Sequence, residues 1–171
     1  MKVFLIGFMA SGKTTLAESF SKLKKLRVYD LDNIIEKYTG SKVHEIFSAK
    51  GEDSFRQLEK YQLENFKFND KSVISVGGGT ACCFENMKIM NEMGKTIYLK
   101  TNLDILHKRL IEDNNRPLVS HNKNSLKKFI KSELKSREKY YKLANYTLNC
   151  DNVTLTQLTK KLESLYEKLQ N

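Results

Sequence analysis

Residues 7–14 carry glycine, lysine and threonine at the spacing of a phosphate-binding loop. The residues that fit the pattern G-x-x-x-x-G-K-[ST] are Gly7, Gly12, Lys13 and Thr14. Glycines let the backbone wrap around anionic oxygens and direct N–H groups toward them. In this pattern the lysine reaches the β- and γ-phosphates, and the hydroxyl that follows can ligate Mg²⁺. The motif therefore predicts a nucleotide-binding site.

Two aspartates follow a short apolar segment, in the order Asp30-Leu31-Asp32. Alternation along an extended segment would place both carboxylates on the same side of the chain. One could hold Mg²⁺ through water, and the other could orient a hydroxyl group of a substrate. The alternative is that Asp32 serves only as the N-cap of the helix predicted for NIIEKY (33–38), a common use of aspartate. The spacing alone leaves both roles open.

Three successive glycines, Gly77, Gly78 and Gly79, end another apolar segment. Such a run at the end of a strand indicates backbone that bends sharply or lies directly against a ligand. The segment lacks the terminal aspartate of an ordinary Walker B site. Another acidic residue must therefore assist the metal, and Asp30 is the best candidate.

Arg56 lies three or four residues from Glu52 and Glu59. Pairing along one helix would account for this spacing. The alternative is that Glu59 orients the guanidinium group so that it clamps a carboxylate. A second arginine begins a predicted helical face whose members are Arg137, Tyr140, Tyr141 and Ala144.

Arg109 ends a predicted amphipathic helix, and a polar stretch with the only proline of the chain, Pro117, follows. This composition is typical of a mobile loop that closes over phosphates, with Arg116 as its functional group. The alternative is an arginine without a role on a surface loop.

Apolar segments at strand length recur along the chain and are separated by helical patterns, which predicts a parallel sheet with helices on both faces. The predicted strands are KVFLI (2–6), RVYDL (27–31), SVISV (72–76), KTIYL (95–99) and YTLN (146–149). Helices are predicted over 14–23 and within 34–68. Ligands in such sheets bind at the carboxyl ends of the strands, where the residues described above are placed.

The composition, with 40% hydrophobic and 29% charged residues in 171, is that of one globular domain. The net charge of +10, with its basic excess between His121 and Lys142, indicates nucleic-acid binding, attraction of anionic substrates or a solvated helix face. Cys82, Cys83 and Cys150 lack metal-site spacing and are expected to be reduced thiols of a cytoplasmic protein. No apolar run approaches the roughly 20 residues that span a membrane.

In this order, the motifs resemble those of the shikimate kinases, small P-loop kinases of the nucleoside-monophosphate-kinase-like group. They cover nearly the whole chain and are GFMASGKTT, DLD, IFSAKGEDSFRQLE, SVGGGT, RLIEDNNRPL and SREKYYKLA. The resemblance implies a three-layer α/β/α fold with a five-stranded parallel sheet. It also implies a substrate-binding subdomain at about 33–61 and a lid at about 112–124.

The resemblance further implies Mg²⁺-dependent transfer of the γ-phosphoryl group of ATP to the 3-hydroxyl of shikimate, in aromatic amino-acid biosynthesis. The expected protein is a monomer with neither a nucleic-acid nor a membrane partner. The catalytic residues implied are Lys13, Asp32 and Arg116. Those implied for ATP are Gly7, Ala10, Ser11, Gly12, Lys13, Thr14, Thr15, Arg109 and Arg116. Those implied for the substrate are Asp32, Arg56, Gly77, Gly78, Gly79 and Arg137, and those for the metal are Thr14 and Asp30.

Two positions depart from the family pattern: Ala10 stands where glycine is usual, and Leu31 where a small hydroxyl residue is usual. The methyl group of Ala10 should be tolerated if φ is negative there. A kinase of another hydroxy acid, such as gluconate, is a rival interpretation, but GEDSFRQLE and Arg137 favour shikimate. A nucleotide-binding protein without catalysis, or a nucleic-acid-binding protein, is a rival of another class, which the intact set of phosphate-site residues disfavours.

Overall fold

The computed structural model describes residues 1–112 and 123–170, which form five strands and seven α-helices. The strands are β1 (Lys2–Ile6), β2 (Arg27–Asp30), β3 (Ser72–Ser75), β4 (Lys95–Lys100) and β5 (Tyr146–Asn149). The helices are α1 (Lys13–Lys24), α2 (Leu31–Thr39), α3 (Val43–Asn65), α4 (Asn86–Met93), α5 (Leu103–Glu112), α6 (Lys123–Tyr141) and α7 (Leu155–Lys168). All five predicted strands are present, with ends that differ by at most one residue.

The five strands form one parallel sheet in the order β2-β3-β1-β4-β5. Strand β1 is central, and its Val3 lies opposite Val73 of β3 and Lys95 of β4. The loops that follow β1, β2 and β3 therefore leave the sheet at the same edge. This confirms the predicted α/β architecture and brings the phosphate loop, the aspartates and the glycine run together.

Alternate residues of β1 enter two separate cores. Phe4 and Ile6 pack in a cluster with helices α2, α3, α4 and α6 on one face of the sheet. Val3 and Leu5 pack with helices α1 and α7 on the other face. A third cluster joins α5 to α6 around Phe8, at the start of the phosphate loop. The sheet is thus covered on both faces, as the three-layer prediction required.

Two helical segments differ from their sequence-based prediction. The region from 34 to 68 is divided between α2 and α3, and α3 itself is interrupted at Gly51, whose φ of 78° and ψ of 175° are not helical. Glycine adopts this φ without the steric cost that a Cβ would add. Helix α6 ends at Tyr141, so Ala144 lies beyond the predicted helical face although it packs against the same core.

Across the described ranges, no helix combines the length and the apolar composition that crossing a bilayer requires.

Candidate active site

A cavity of about 270 Å³ opens at the carboxyl ends of β1, β2 and β3. Its lining combines the phosphate loop with both predicted aspartates and two of the three glycines. The lining residues are Met9, Ala10, Gly12, Lys13, Thr14, Thr15, Asp30, Asp32, Ser75, Val76, Gly77 and Gly78. Residues predicted from three separate motifs therefore share one cavity.

The phosphate loop wraps around the start of α1. Gly12 has a φ of 94°, which L side chains rarely adopt, and the helix begins at the next residue. The N-terminus of a helix carries about half a positive charge, so it favours an anion at this position. Lys13 is buried, and its Nζ donates hydrogen bonds to the carbonyl oxygens of Gly7 and Phe8, each at 2.9 Å. The ammonium group thus lies inside the loop that the motif predicts.

Ala10 has a φ of +60°, in the left-handed region. The condition under which the methyl group was expected to be tolerated, a negative φ, is therefore not met. The loop turns here in the conformation that suits glycine, and a Cβ in that conformation costs roughly 1–2 kcal/mol. The Ala10 carbonyl oxygen accepts a hydrogen bond of 3.0 Å from Arg109 Nη1, which helps to hold the strained turn.

Asp30, and not Asp32, is the N-cap of α2. Asp30 Oδ1 accepts hydrogen bonds from the backbone N–H groups of Asp32 at 3.1 Å and Asn33 at 3.4 Å. The alternative that Asp32 is only a cap is therefore wrong. The alternation argument also fails, because the chain turns into the helix at Leu31. The two carboxylates share the cavity because one ends the strand and the other lies in the first helical turn.

Asp32 lines this cavity, and its Oδ1 is buried. Its Oδ1 accepts no hydrogen bond from the residues that the structure describes. Burial, with the nearby charges of Asp30 and Glu59, raises the pKa of Asp32 to about 6, although Lys13 and Arg56 oppose this rise. A carboxylate with raised proton affinity and a free lone pair is suited to accept a hydrogen bond or a proton from a hydroxyl group.

Three oxygen atoms meet beside the phosphate loop. Thr14 Oγ1 donates to Asp30 Oδ2 at 3.1 Å and lies 3.2 Å from Ser75 Oγ. Within residues 1–112 and 123–170, no group of three or more His, Cys, Asp or Glu side chains could enclose a metal ion. A hydroxyl and one carboxylate nevertheless fit Mg²⁺, which takes oxygen ligands and is usually completed by phosphate and water. Sequence reasoning missed Ser75, which occupies the strand end where the Walker B aspartate is absent.

A second cavity, of about 250 Å³, brings Arg56 of α3 and Arg137 of α6 together. Arg56 Nη1 donates to Glu59 Oε2 at 2.7 Å, and Glu59 is fully buried and also accepts a hydrogen bond from Thr80 Oγ1. The helical pair therefore exists, and Glu59 orients the guanidinium group. That Arg56 clamps a carboxylate stays a prediction. Arg137 lies over the ring of Phe8, 5.5 Å from its centroid. Two arginines in one cavity can bind one carboxylate.

The glycine run is required by close packing and not by a bend, since none of its three φ values is in the left-handed region. A Cβ on Gly79 would overlap the guanidinium group of Arg56. A Cβ on Gly78 would lie 3.0 Å from the backbone nitrogen of Met9 in the phosphate loop. Gly77 and Gly78 line the first cavity and Gly79 lines the second, so the run borders both cavities.

Tyr141 is a further residue that the sequence analysis did not assign to the site. Its hydroxyl donates to the Gly78 carbonyl oxygen at 2.5 Å, and its ring stacks on Tyr98. The available signal was its position one helical turn after Arg137. The hydrogen bond ties α6 to the backbone between the two cavities.

A third cavity, of about 290 Å³, lies on the other side of the phosphate loop. It is lined by Ser11, Gly12, Thr15, Arg109, Cys150, Val153, Leu155 and Leu158. Its partly apolar wall and its arginine suit the base and sugar of a nucleotide. Arg116 and most of the predicted lid lie outside the described residues.

Comparisons with known proteins agree with this geometry. The family model for "Shikimate kinase" matches residues 9–168. A shikimate kinase of Phocaeicola vulgatus is 36% identical over 171 residues, covering 98% of each chain. The crystal structure of a shikimate kinase from Bacteroides thetaiotaomicron has a TM-score of 0.91 at 35% identity and 98% coverage of both chains. A shikimate kinase from Acinetobacter baumannii, solved in complex with shikimate, has a TM-score of 0.87 at 28% identity, over 98% of this chain and 93% of that one. The chain therefore belongs to the shikimate kinase family of ATP-dependent kinases, as its motifs predicted.

Proposed function

We propose that this chain transfers the γ-phosphoryl group of ATP to the 3-hydroxyl of shikimate, giving shikimate 3-phosphate and ADP, with the residue roles given below. The product belongs to the pathway of aromatic amino-acid biosynthesis. The observation that carries the assignment of roles is that Asp32 lines the same cavity as Lys13. A hydroxyl acceptor bound at Asp32 would face the phosphates on the loop.

The nucleotide would occupy the first and third cavities. Backbone N–H groups of residues 10–15 would surround its phosphates, and Lys13 would exchange its two carbonyl acceptors for β- and γ-phosphate oxygens. Arg109 and Thr15 would contact the nucleoside side of ATP, in the third cavity. The closeness of Gly12 to Arg109 supports this placement, since a Cβ on Gly12 would lie 3.8 Å from its Nη1.

Thr14 and Asp30 would hold Mg²⁺, with Ser75 beside them. When bound, the ion neutralises charge on the β- and γ-phosphate oxygens. The cap role of Asp30 supports this assignment, because its two hydrogen bonds from the backbone hold the carboxylate in place.

The acceptor would lie across the glycine run. Arg56 and Arg137 would clamp its carboxylate, and the backbone of Gly77, Gly78 and Gly79 would pack against it. Two guanidinium groups in one cavity favour an acidic, compact acceptor, because charge-assisted pairs with carboxylates are the strong ones.

Asp32 would orient the attacking hydroxyl group and accept its proton. As the oxygen of the acceptor bonds to the γ-phosphorus, the bond from that phosphorus to ADP breaks and the hydroxyl proton passes to Asp32. Such transition states are loose, so positioning and charge neutralisation matter more than covalent help. Lys13 would supply one positive charge and Arg116, from the lid at about 112–124, another.

The test is ADP release from purified protein with Mg²⁺-ATP and a panel of hydroxy acids that includes shikimate and gluconate. Shikimate should support turnover, and ³¹P NMR should locate the phosphate on the 3-hydroxyl oxygen. Turnover with gluconate and none with shikimate would overturn the proposal. The same protein, analysed by sedimentation, should be a monomer.

A further inference from the structure

Arg56, whose guanidinium group should bind the substrate carboxylate, already donates hydrogen bonds to two carboxylates of the protein. Glu59 Oε2 accepts from Arg56 Nη1 at 2.7 Å. Glu52 Oε1 accepts from Arg56 Nε at 3.1 Å and from Nη2 at 2.8 Å. Glu52 therefore occupies the Nε–Nη2 edge, one of the edges with which arginine binds carboxylates.

The two glutamates are held very differently. The Glu59 side chain is 0% exposed and has Thr80 as a second partner, whereas the Glu52 side chain is 62% exposed. The Arg56 side chain is 12% exposed, so only the Glu52 side of this ion pair is exposed, and water screens the carboxylate there. Glu59 is thus a permanent partner of Arg56, and Glu52 can be displaced.

The backbone before Glu52 also permits displacement. Gly51 breaks α3 with its φ of 78°, and no atom lies within 4 Å of where its Cβ would be. Glu52 therefore begins a new helical segment beside open space, and it is not held on both sides by a continuous helix.

Glu52 lines the cavity that would receive the substrate carboxylate. The charged side chains around that cavity are Glu52, Arg56, Arg137 and Lys139. Arg137 is itself paired with Glu133, at 2.5 Å. An incoming carboxylate would meet the like charge of Glu52 at the arginine edge that it needs.

We propose that Glu52 is an internal competitor of the substrate carboxylate, which occupies Arg56 in the free enzyme and yields it to the bound acid. This inference rests on the proposed function and deepens it. Glu52 lowers the affinity for shikimate, and it excludes simple carboxylates that lack the hydroxyl contacts needed to displace it. Every carboxylate meets the same cost of displacement, and an acid with further contacts in the site still binds despite that cost.

The test compares the wild-type enzyme with Glu52→Gln, which keeps the size of the side chain and removes its charge. Isothermal titration should show shikimate binding about 2–5-fold tighter, the range expected for loss of one partly exposed charge pair. Inhibition by acetate, at ionic strength held constant with chloride, should strengthen by a similar factor. Glu64→Gln is the matched control, because Glu64 lies on the same helix, pairs with Lys60 and is outside this cavity. It should change neither value.

Weaker shikimate binding in Glu52→Gln would show that Glu52 only positions Arg56. That result would overturn this inference and leave the proposed function standing. Unchanged sensitivity to acetate would also overturn it. If the wild-type enzyme neither binds nor phosphorylates shikimate, the proposed function fails first, and the inference fails with it.

Discussion

Replacing Asp32 with asparagine should stabilise the fold at neutral pH and abolish turnover. Burial, Asp30 and Glu59 raise the pKa of Asp32 from 3.8 to about 6. Below pH ~4 the folded and unfolded states both carry the proton, so Asp32 contributes nothing to the pH dependence. Between pH ~4 and ~6 the unfolded state loses its proton first, and stability falls as the pH rises. Above pH ~6 Asp32 is ionised in both states, and its loss of folding stability no longer grows with pH.

The size of this penalty follows from the rise in pKa. One pKa unit corresponds to about 1.36 kcal/mol, so a rise of roughly two units gives at most about 3 kcal/mol. In a chain of this length, about 1 kcal/mol changes Tm by roughly 2–4 °C. Because asparagine cannot ionise, the Asp32→Asn variant should melt about 5–10 °C above the wild type at pH ~7.5. At pH ~4.5, where most of the penalty has not yet developed, the difference should shrink to about 2–4 °C.

The assay is thermal unfolding, followed by circular dichroism without nucleotide, at several pH values between about 4.5 and 7.5. Asp53→Asn, at an exposed position of α3, controls for the loss of one negative charge. ADP should still bind to the Asp32→Asn variant, while phosphorylation of shikimate should be undetectable. A difference in Tm that stays constant across the pH range would show that folding does not raise the pKa of Asp32. Retained turnover would remove Asp32 from the mechanism.

Four further outcomes are expected. Ala10→Gly should relieve the left-handed strain and, after the entropy cost of glycine, stabilise the fold by about 0.5–1 kcal/mol in thermal unfolding. The control is Ala17→Gly in α1, which should destabilise the fold because Ala17 is helical. Gly79→Ala would push a methyl group into Arg56, so the KM for shikimate should rise while the KM for ATP is retained. Arg137→Ala should chiefly raise the KM for shikimate in steady-state assays; a rise in the ATP KM alone would contradict its placement. Arg116→Ala should lower kcat by about 10³-fold or more, as loss of a catalytic arginine does, and near-normal rates would leave it no catalytic role.

The phosphate loop and the strands could be predicted from the sequence because both depend on residues that are neighbours in the chain. A loop that binds phosphate with its backbone needs glycines at set positions and a helix directly after it, and residues 7–14 show this locally. The apolar segments of a sheet covered on both faces are recognisable for the same reason. The roles of Arg116 and of the lid remain predictions, since they lie outside the described residues.

The sequence could not predict which of Asp30 and Asp32 caps α2 and which has an oxygen without a hydrogen bond from the described residues. The assignment depends on the residue at which the strand turns into α2, and a shift of one or two residues there exchanges the cap with the free carboxylate. The left-handed φ of Ala10 was missed for a similar reason, because alanine does not signal a conformation that glycine usually adopts.

By itself, the sequence determined a nucleotide-binding α/β kinase with a recognisable family pattern. Only the tertiary structure decided that Arg56 and Arg137 share one cavity and that Ser75 lies beside Thr14. These contacts join segments that are distant in the chain. They exist because α3 and α6 pack on the same face of the sheet and the strands end at one edge, and such packing depends on the whole core and not on any local pattern.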